Sequence, residues 1–163
     1  MLWPMKIAAR IALIAVLALA VAAPALASTF TTGRYEGKTS QKNKNTGKFR
    51  KISFHADSTA GQISNIKFVS TGKCNDGSRS QGSQGKNGNK LFADVDGNGH
   101  FSLTAPSKSG ATKLKMSGTI SGNQASGTFS VKSRFDENTG NPDPDGSIKC
   151  TTGTVHWSAK TTG

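Results

Sequence analysis

Beyond residue 27 the apolar side chains recur at every second position, and no window repeats at the helical period. Alternation places successive side chains on opposite faces of a strand, so it marks strands with one buried face. Tyr35 sits in a short first strand, Gly33 to Gly37. Ile52, Phe54 and Ala56 alternate with Lys51, Ser53 and His55, and a third strand starts near Ile63 and carries Ile66 and Phe68. Leu91, Ala93 and Val95 mark a fourth strand, and Phe101, Leu103 and Ala105 a fifth. Leu114, Met116, Gly118 and Ile120 mark a sixth, and Ala125, Gly127, Phe129 and Val131 a seventh. Ile148 and Cys150 share one parity while Val155, Trp157 and Ala159 share the other. A bulge near Gly153 reconciles them, in one long final strand or two short ones.

The connections read as turns. Asp57 to Gly61, Asp96-Gly97-Asn98-Gly99 and Ser121-Gly122-Asn123 are rich in residues that tolerate positive φ. The expected fold is therefore all-β: a single antiparallel meander of about eight strands, closed as a small barrel or folded as a sandwich. Two long stretches are expected to be loops, Asn75 to Asn89 and Asp136 to Gly146. A small pattern recurs in Ser117-Gly118-Thr119-Ile120, Ser126-Gly127-Thr128-Phe129 and Thr152-Gly153-Thr154-Val155. Its glycines leave room for a large ring such as Trp157 or Phe129 to lie across a neighbouring strand.

Residues 1–27 read differently. Lys6 and Arg10 precede an unbroken apolar run of 13 residues, Ile11 to Ala23, and Pro24 and Ala25-Leu26-Ala27 follow. This is the pattern of a secretory signal peptide, a helix cut between Ala27 and Ser28. The run is short for a membrane span, which needs ~20 residues, and no later run is long enough. The expected mature protein is residues 28–163, a secreted, extracellular β domain with its core at about 32–160.

Composition alone argues for disorder. Leu, Ile, Val and Phe number 20 among residues 28–163, and the mature chain has 19 basic against 9 acidic residues, a net +10. Alternation argues the other way, and so does a cross-link. Cys74 and Cys150 are the only cysteines, and outside the cytoplasm they have one possible pairing. Closing so long a loop stabilises a fold by roughly 4–5 kcal/mol in the chain-entropy model.

The mature region resembles small secreted bacterial proteins, mainly actinobacterial, of uncharacterised function. The resemblance rests on Gly33-Arg34-Tyr35-Glu36-Gly37-Lys38-Thr39-Ser40, Ile52-Ser53-Phe54, Ile63 to Phe68 and Cys74-Asn75-Asp76-Gly77. It continues through Gly99-His100-Phe101-Ser102, Ile120-Ser121-Gly122 and Ala125 to Phe129, and ends on Cys150-x-x-Gly153-x-Val155-x-Trp157-x-Ala159. It implies an all-β secreted domain with one disulfide, and no catalytic residue to carry over.

Candidate chemistry is sparse. Asp94, Asp96 and Asn98, with Gly99, match the opening of a calcium loop, but Ala105 stands where a bidentate Glu is needed, and a hairpin turn is the expected role. Asp136, Glu137, Asp143 and Asp145 share one loop with Pro142 and Pro144 and would be the carboxylates of a hydrolase. His55, His100 and His156 belong to no catalytic motif, and the last two precede inward aromatics, so they face outward. Tyr35, Phe129 and Trp157 would line the cavity of a small-ligand carrier. Lys38, Lys42, Lys44, Lys48, Arg50 and Lys51 put six cations in 14 positions with no acid between them. Such a density attracts polyanions over a Debye length of ~8–10 Å. No nucleic-acid motif accompanies it. The expectation is a monomeric, non-enzymatic, secreted domain that needs no cofactor or metal and binds anionic cell-envelope or extracellular polymers through a basic face.

Overall fold

The computed structural model describes residues 30–85 and 90–162. The expected signal segment, residues 1–27, lies outside them. Ten strands follow one another: β1 (Gly33–Lys42), β2 (Phe49–Asp57), β3 (Gln62–Cys74), β4 (Arg79–Gln84), β5 (Ala93–Asp94), β6 (His100–Pro106), β7 (Thr112–Ser121), β8 (Gln124–Phe135), β9 (Ile148–Thr151) and β10 (Val155–Thr161). The hydrogen-bonded order is β10-β1-β2-β3-β9-β8-β7-β6, and β10 also pairs β8, so six strands close into a barrel. The other edge of β3 carries β4 and β5. A single bridge, Val95 to Phe101, joins β5 to β6 and brings β6 and β7 around the same core.

The bulge expected near Gly153 is present. β9 and β10 pair the same strand in succession, with Thr151 opposite Lys132 and Val155 opposite Phe129. Gly153, at φ 64°, breaks the line between them and resets the parity. A second bulge explains why Ile63 and Ile66 are both fully buried although they are three residues apart. The β2–β3 register shifts between Ser53 and His55, and Asn65 adopts φ 53° there.

The inward faces supply one continuous core, from Phe30 to Ala159. Tyr35 stacks on Phe54 at 5.1 Å between centroids, Phe54 meets Trp157 edge-on at 5.9 Å, and Trp157 lies 5.9 Å from Phe101. Phe68 packs against Phe129 at 4.3 Å. Two of the recurring glycines have the expected role. A Cβ on Gly118 or on Gly127 would stand 2.7 or 2.8 Å from Trp157 Cζ2. Cys74 and Cys150 are directly opposed across β3 and β9 and form the disulfide.

Two expectations need correction. The stretch from Asn75 to Asn89 is not all loop, because Arg79–Gln84 pairs along β3 from Phe68↔Gln84 to Lys73↔Arg79. Backbone hydrogen bonds hold this strand with no apolar side chain of its own, so alternation could not reveal it. The strand expected at Leu91 to Val95 shrinks to Ala93–Asp94, and Leu91 is buried beside it. Just ahead of β1, Phe30 is buried in the core, and the Thr31 N–H donates to the Gly122 carbonyl at 2.8 Å.

Candidate functional site

Two hairpins part from the barrel wall on one side. β1 follows β10 only as far as Thr39↔Trp157, and β2 follows β3 only as far as Ile52↔Phe68. Beyond those points β1 and β2 slip in register and resume pairing at Lys42↔Phe49. β3 continues the other way, paired with β4. Between the hairpins opens a cleft of about 750 Å³, lined by residues 41–45, 50, 71–73, 79–81 and 151–153.

Local chemistry holds each wall. Asn43 organises the β1–β2 turn: its N–H donates to the Lys48 carbonyl, and its side-chain Oδ1 accepts from the Asn45 N–H at 2.9 Å. Where β2 no longer reaches β3, a side chain takes over the pairing. Gln41 Nε2 donates to the Thr71 carbonyl at 2.7 Å, and the Thr71 N–H donates to Gln41 Oε1 at 3.0 Å. Arg50 shares the parity of inward Ile52, so its side chain turns into the cleft and is half-buried. Its Nη2 donates to Thr71 Oγ1 at 2.7 Å and to Gln81 Oε1 at 2.6 Å. Its Nε is buried with no hydrogen-bond partner, and Nη1 bonds no described residue.

The electrostatics are one-sided. Lys42, Lys44, Arg50, Lys73 and Arg79 line the cleft, and no acid does. Among the described residues the one ion pair is Arg34–Glu36, outside the cleft. Lys42 Nζ lies 5.0 Å above the exposed Phe49 ring. Of the six cations in the expected basic run, the cleft gathers Lys42, Lys44 and Arg50. Lys38 and Lys51 face each other across β1 and β2, exposed, and Lys38 borders a different groove with Glu36 and Lys160. Lys48 is exposed at the hairpin turn. Lys73 and Arg79 complete the cleft from β3 and β4. The sequence gives no sign of them, because their proximity depends on strand pairing.

The acidic candidates serve turns. Asp96 Oδ1 accepts from the backbone N–H groups of Asn98 and His100, both at 2.9 Å, and closes the β5–β6 hairpin. The His100 N–H, seconded by that of Asn98, holds the Asp96 carboxyl below its ordinary value. Asp94 Oδ1 accepts from Gln62 Nε2 at 3.3 Å. Of the calcium candidates, Asp96 is thus engaged with the hairpin and Asp94 with β3, and no group of three or more His, Cys, Asp or Glu converges among the described residues. In the β8–β9 loop, Asp136 accepts from the N–H and hydroxyl of Thr139 and from the Asn138 N–H, which lower its pKa. Glu137 accepts from the Ser147 hydroxyl at 2.6 Å, and Asp143 accepts from the Asp145 N–H at 2.8 Å. His55, His100 and His156 are exposed. Tyr35, Phe129 and Trp157, the residues of the expected ligand cavity, are buried against other rings.

Comparison with protein-family models, with curated proteins and with solved structures finds no match for this chain.

Proposed function

We propose that this is a secreted, non-enzymatic barrel that holds linear anionic polymers of the cell envelope or extracellular space in the basic cleft between its two hairpins. The observation that carries this function is the cleft's lining: five cationic side chains, four from strands β1 to β4 and Lys44 from the β1–β2 turn, and no carboxylate among the described residues that line it. Gathering like charges is unfavourable. Two like charges ~8 Å apart repel by ~0.5 kcal/mol in water before salt screens them. A polymer bearing regularly spaced phosphates or carboxylates removes that repulsion and releases its own counterions. Apart from Gly72 and Gly153, the remaining lining is amide and hydroxyl, with Asn43, Asn45 and Ser80 able to bond polar links between the charges.

Equilibrium binding of the processed, oxidised protein to such a polymer at rising salt tests this. With five charges engaged, log K falls against log salt with a slope of about −3 to −4, by analogy with single-stranded polyanions. Retention on cell-wall material that does not change between low and high salt contradicts it.

A further inference from the structure

Arg50 differs from the other cleft cations in being fixed. Its Nη2 is tied to β3 through Thr71 and to β4 through Gln81, and Thr71 is itself clamped by Gln41. Both acceptors on the guanidinium are neutral, so its charge has no ionic partner among the described residues. Around it, Lys42 comes from β1, Lys73 from β3 and Arg79 from β4. Donors that arrive from several directions match a tetrahedral group, which has oxygens on every side. A planar carboxylate is served along one edge by a single fork. Among the described residues no aromatic side chain lines the cleft, so they offer no platform in it on which a base could stack.

We infer that Arg50 seats one phosphodiester group, and that the polymer is a polyol phosphate, a chain of phosphodiesters joined by hydroxylated, non-aromatic units. This rests on the polymer-binding function proposed above and names its ligand class. Thr71 and Gln81 are positioning residues that hold the guanidinium, and Arg50 makes the contact.

The test compares three labelled oligomers of equal charge: glycerol phosphate, glutamate and single-stranded DNA. Each is titrated at one fixed salt against the full processed protein, Arg50→Lys and Lys48→Gln, the last lying outside the cleft. The wild type is expected to prefer the glycerol phosphate oligomer by about tenfold. Arg50→Lys, which keeps the charge but loses the fork, loses about tenfold for that oligomer and less than about twofold for glutamate. Lys48→Gln changes each affinity by less than about twofold. In the wild type, the Arg50 Nε–Hε nuclear magnetic resonance signal shifts as glycerol phosphate oligomer is added, a readout that needs no variant to fold. Equal affinity for all three oligomers, tightest binding of DNA, or an Arg50 signal that stays put while lysine signals move would each overturn the assignment and leave polymer binding intact. Inorganic phosphate that displaces the oligomer at equal concentration overturns it in favour of the free ion. Binding of none of the oligomers removes the underlying function instead.

Discussion

Gln41 and Thr71 form a strand pairing in which one partner is a side chain. The Gln41 amide donates to the Thr71 carbonyl at 2.7 Å and accepts from its N–H at 3.0 Å, as a neighbouring strand would. Two hairpins can therefore separate without leaving the backbone of β3 unsatisfied. Gln41→Leu removes both bonds and leaves two part-buried backbone groups unpaired. The variant is expected to lose about 1–3 kcal/mol in chemical denaturation. Hydrogen exchange at the Thr71 amide accelerates, and polymer binding weakens because Arg50 loses its fixed support.

The Cys74–Cys150 bridge spans 76 residues and joins the end of β3 to β9. Replacing both cysteines by serine lowers the unfolding free energy by about 4–5 kcal/mol in the chain-entropy model. Denaturant melts of the oxidised protein and the double variant give this difference directly. The bridge lies next to Lys73 in β3, where the Lys73↔Thr151 pairing forms part of the cleft wall.

Gly118 and Gly127 lie against one ring. Gly118→Ala would press a methyl group on Trp157, Phe101 and the Ser126 carbonyl. It is expected to cost about 1–3 kcal/mol and to alter the Trp157 near-ultraviolet dichroism. Gly153→Ala meets nothing nearby, but it must hold a left-handed backbone at φ 64°. Its cost is about 1–2 kcal/mol with the Trp157 signal unchanged.

Asp76, Asp96 and Asp136 set the acid response. Hydrogen bonds from Ser78, from His100 and from Thr139 hold the three carboxyls below the ordinary value, so each contributes stability above its unfolded pKa of about 4. That contribution disappears as pH falls through the lower, folded value. Thermal unfolding is expected to be flat from neutrality to about pH 5 and to decline below about pH 4. Asp96→Asn keeps an acceptor oxygen for Asn98 and His100 but cannot titrate, so its melting temperature varies less over the acid range.

Much of this barrel is written in its alternating hydrophobes. Ile52-Phe54-Ala56, Leu114-Met116 and Phe129-Val131 point inward as the pattern requires, and the parity break around Gly153 is the seam between β9 and β10. β4 was not legible, because Arg79 to Gln84 offers no apolar residue and is held by its backbone pairing with β3 and by the Arg50–Gln81 bond. The cleft was legible by half. The run that contains Lys42, Lys44 and Arg50 stands out as charge density, whereas the turn of Arg50 into the cleft emerged with the structure. Lys73 and Arg79 join it only through strand pairing, and pairing partners are not encoded in local pattern.

Those two residues provide the most direct measurement. The salt dependence of glycerol phosphate polymer binding can be compared among the wild type, Lys73→Gln/Arg79→Gln and a control, Lys113→Gln/Lys115→Gln, whose residues do not line the cleft. The cleft variant is expected to lose affinity and to flatten the slope by about 1.4, two engaged charges, while the control keeps the wild-type slope. Identical slopes for both double variants would contradict the cleft as the binding site.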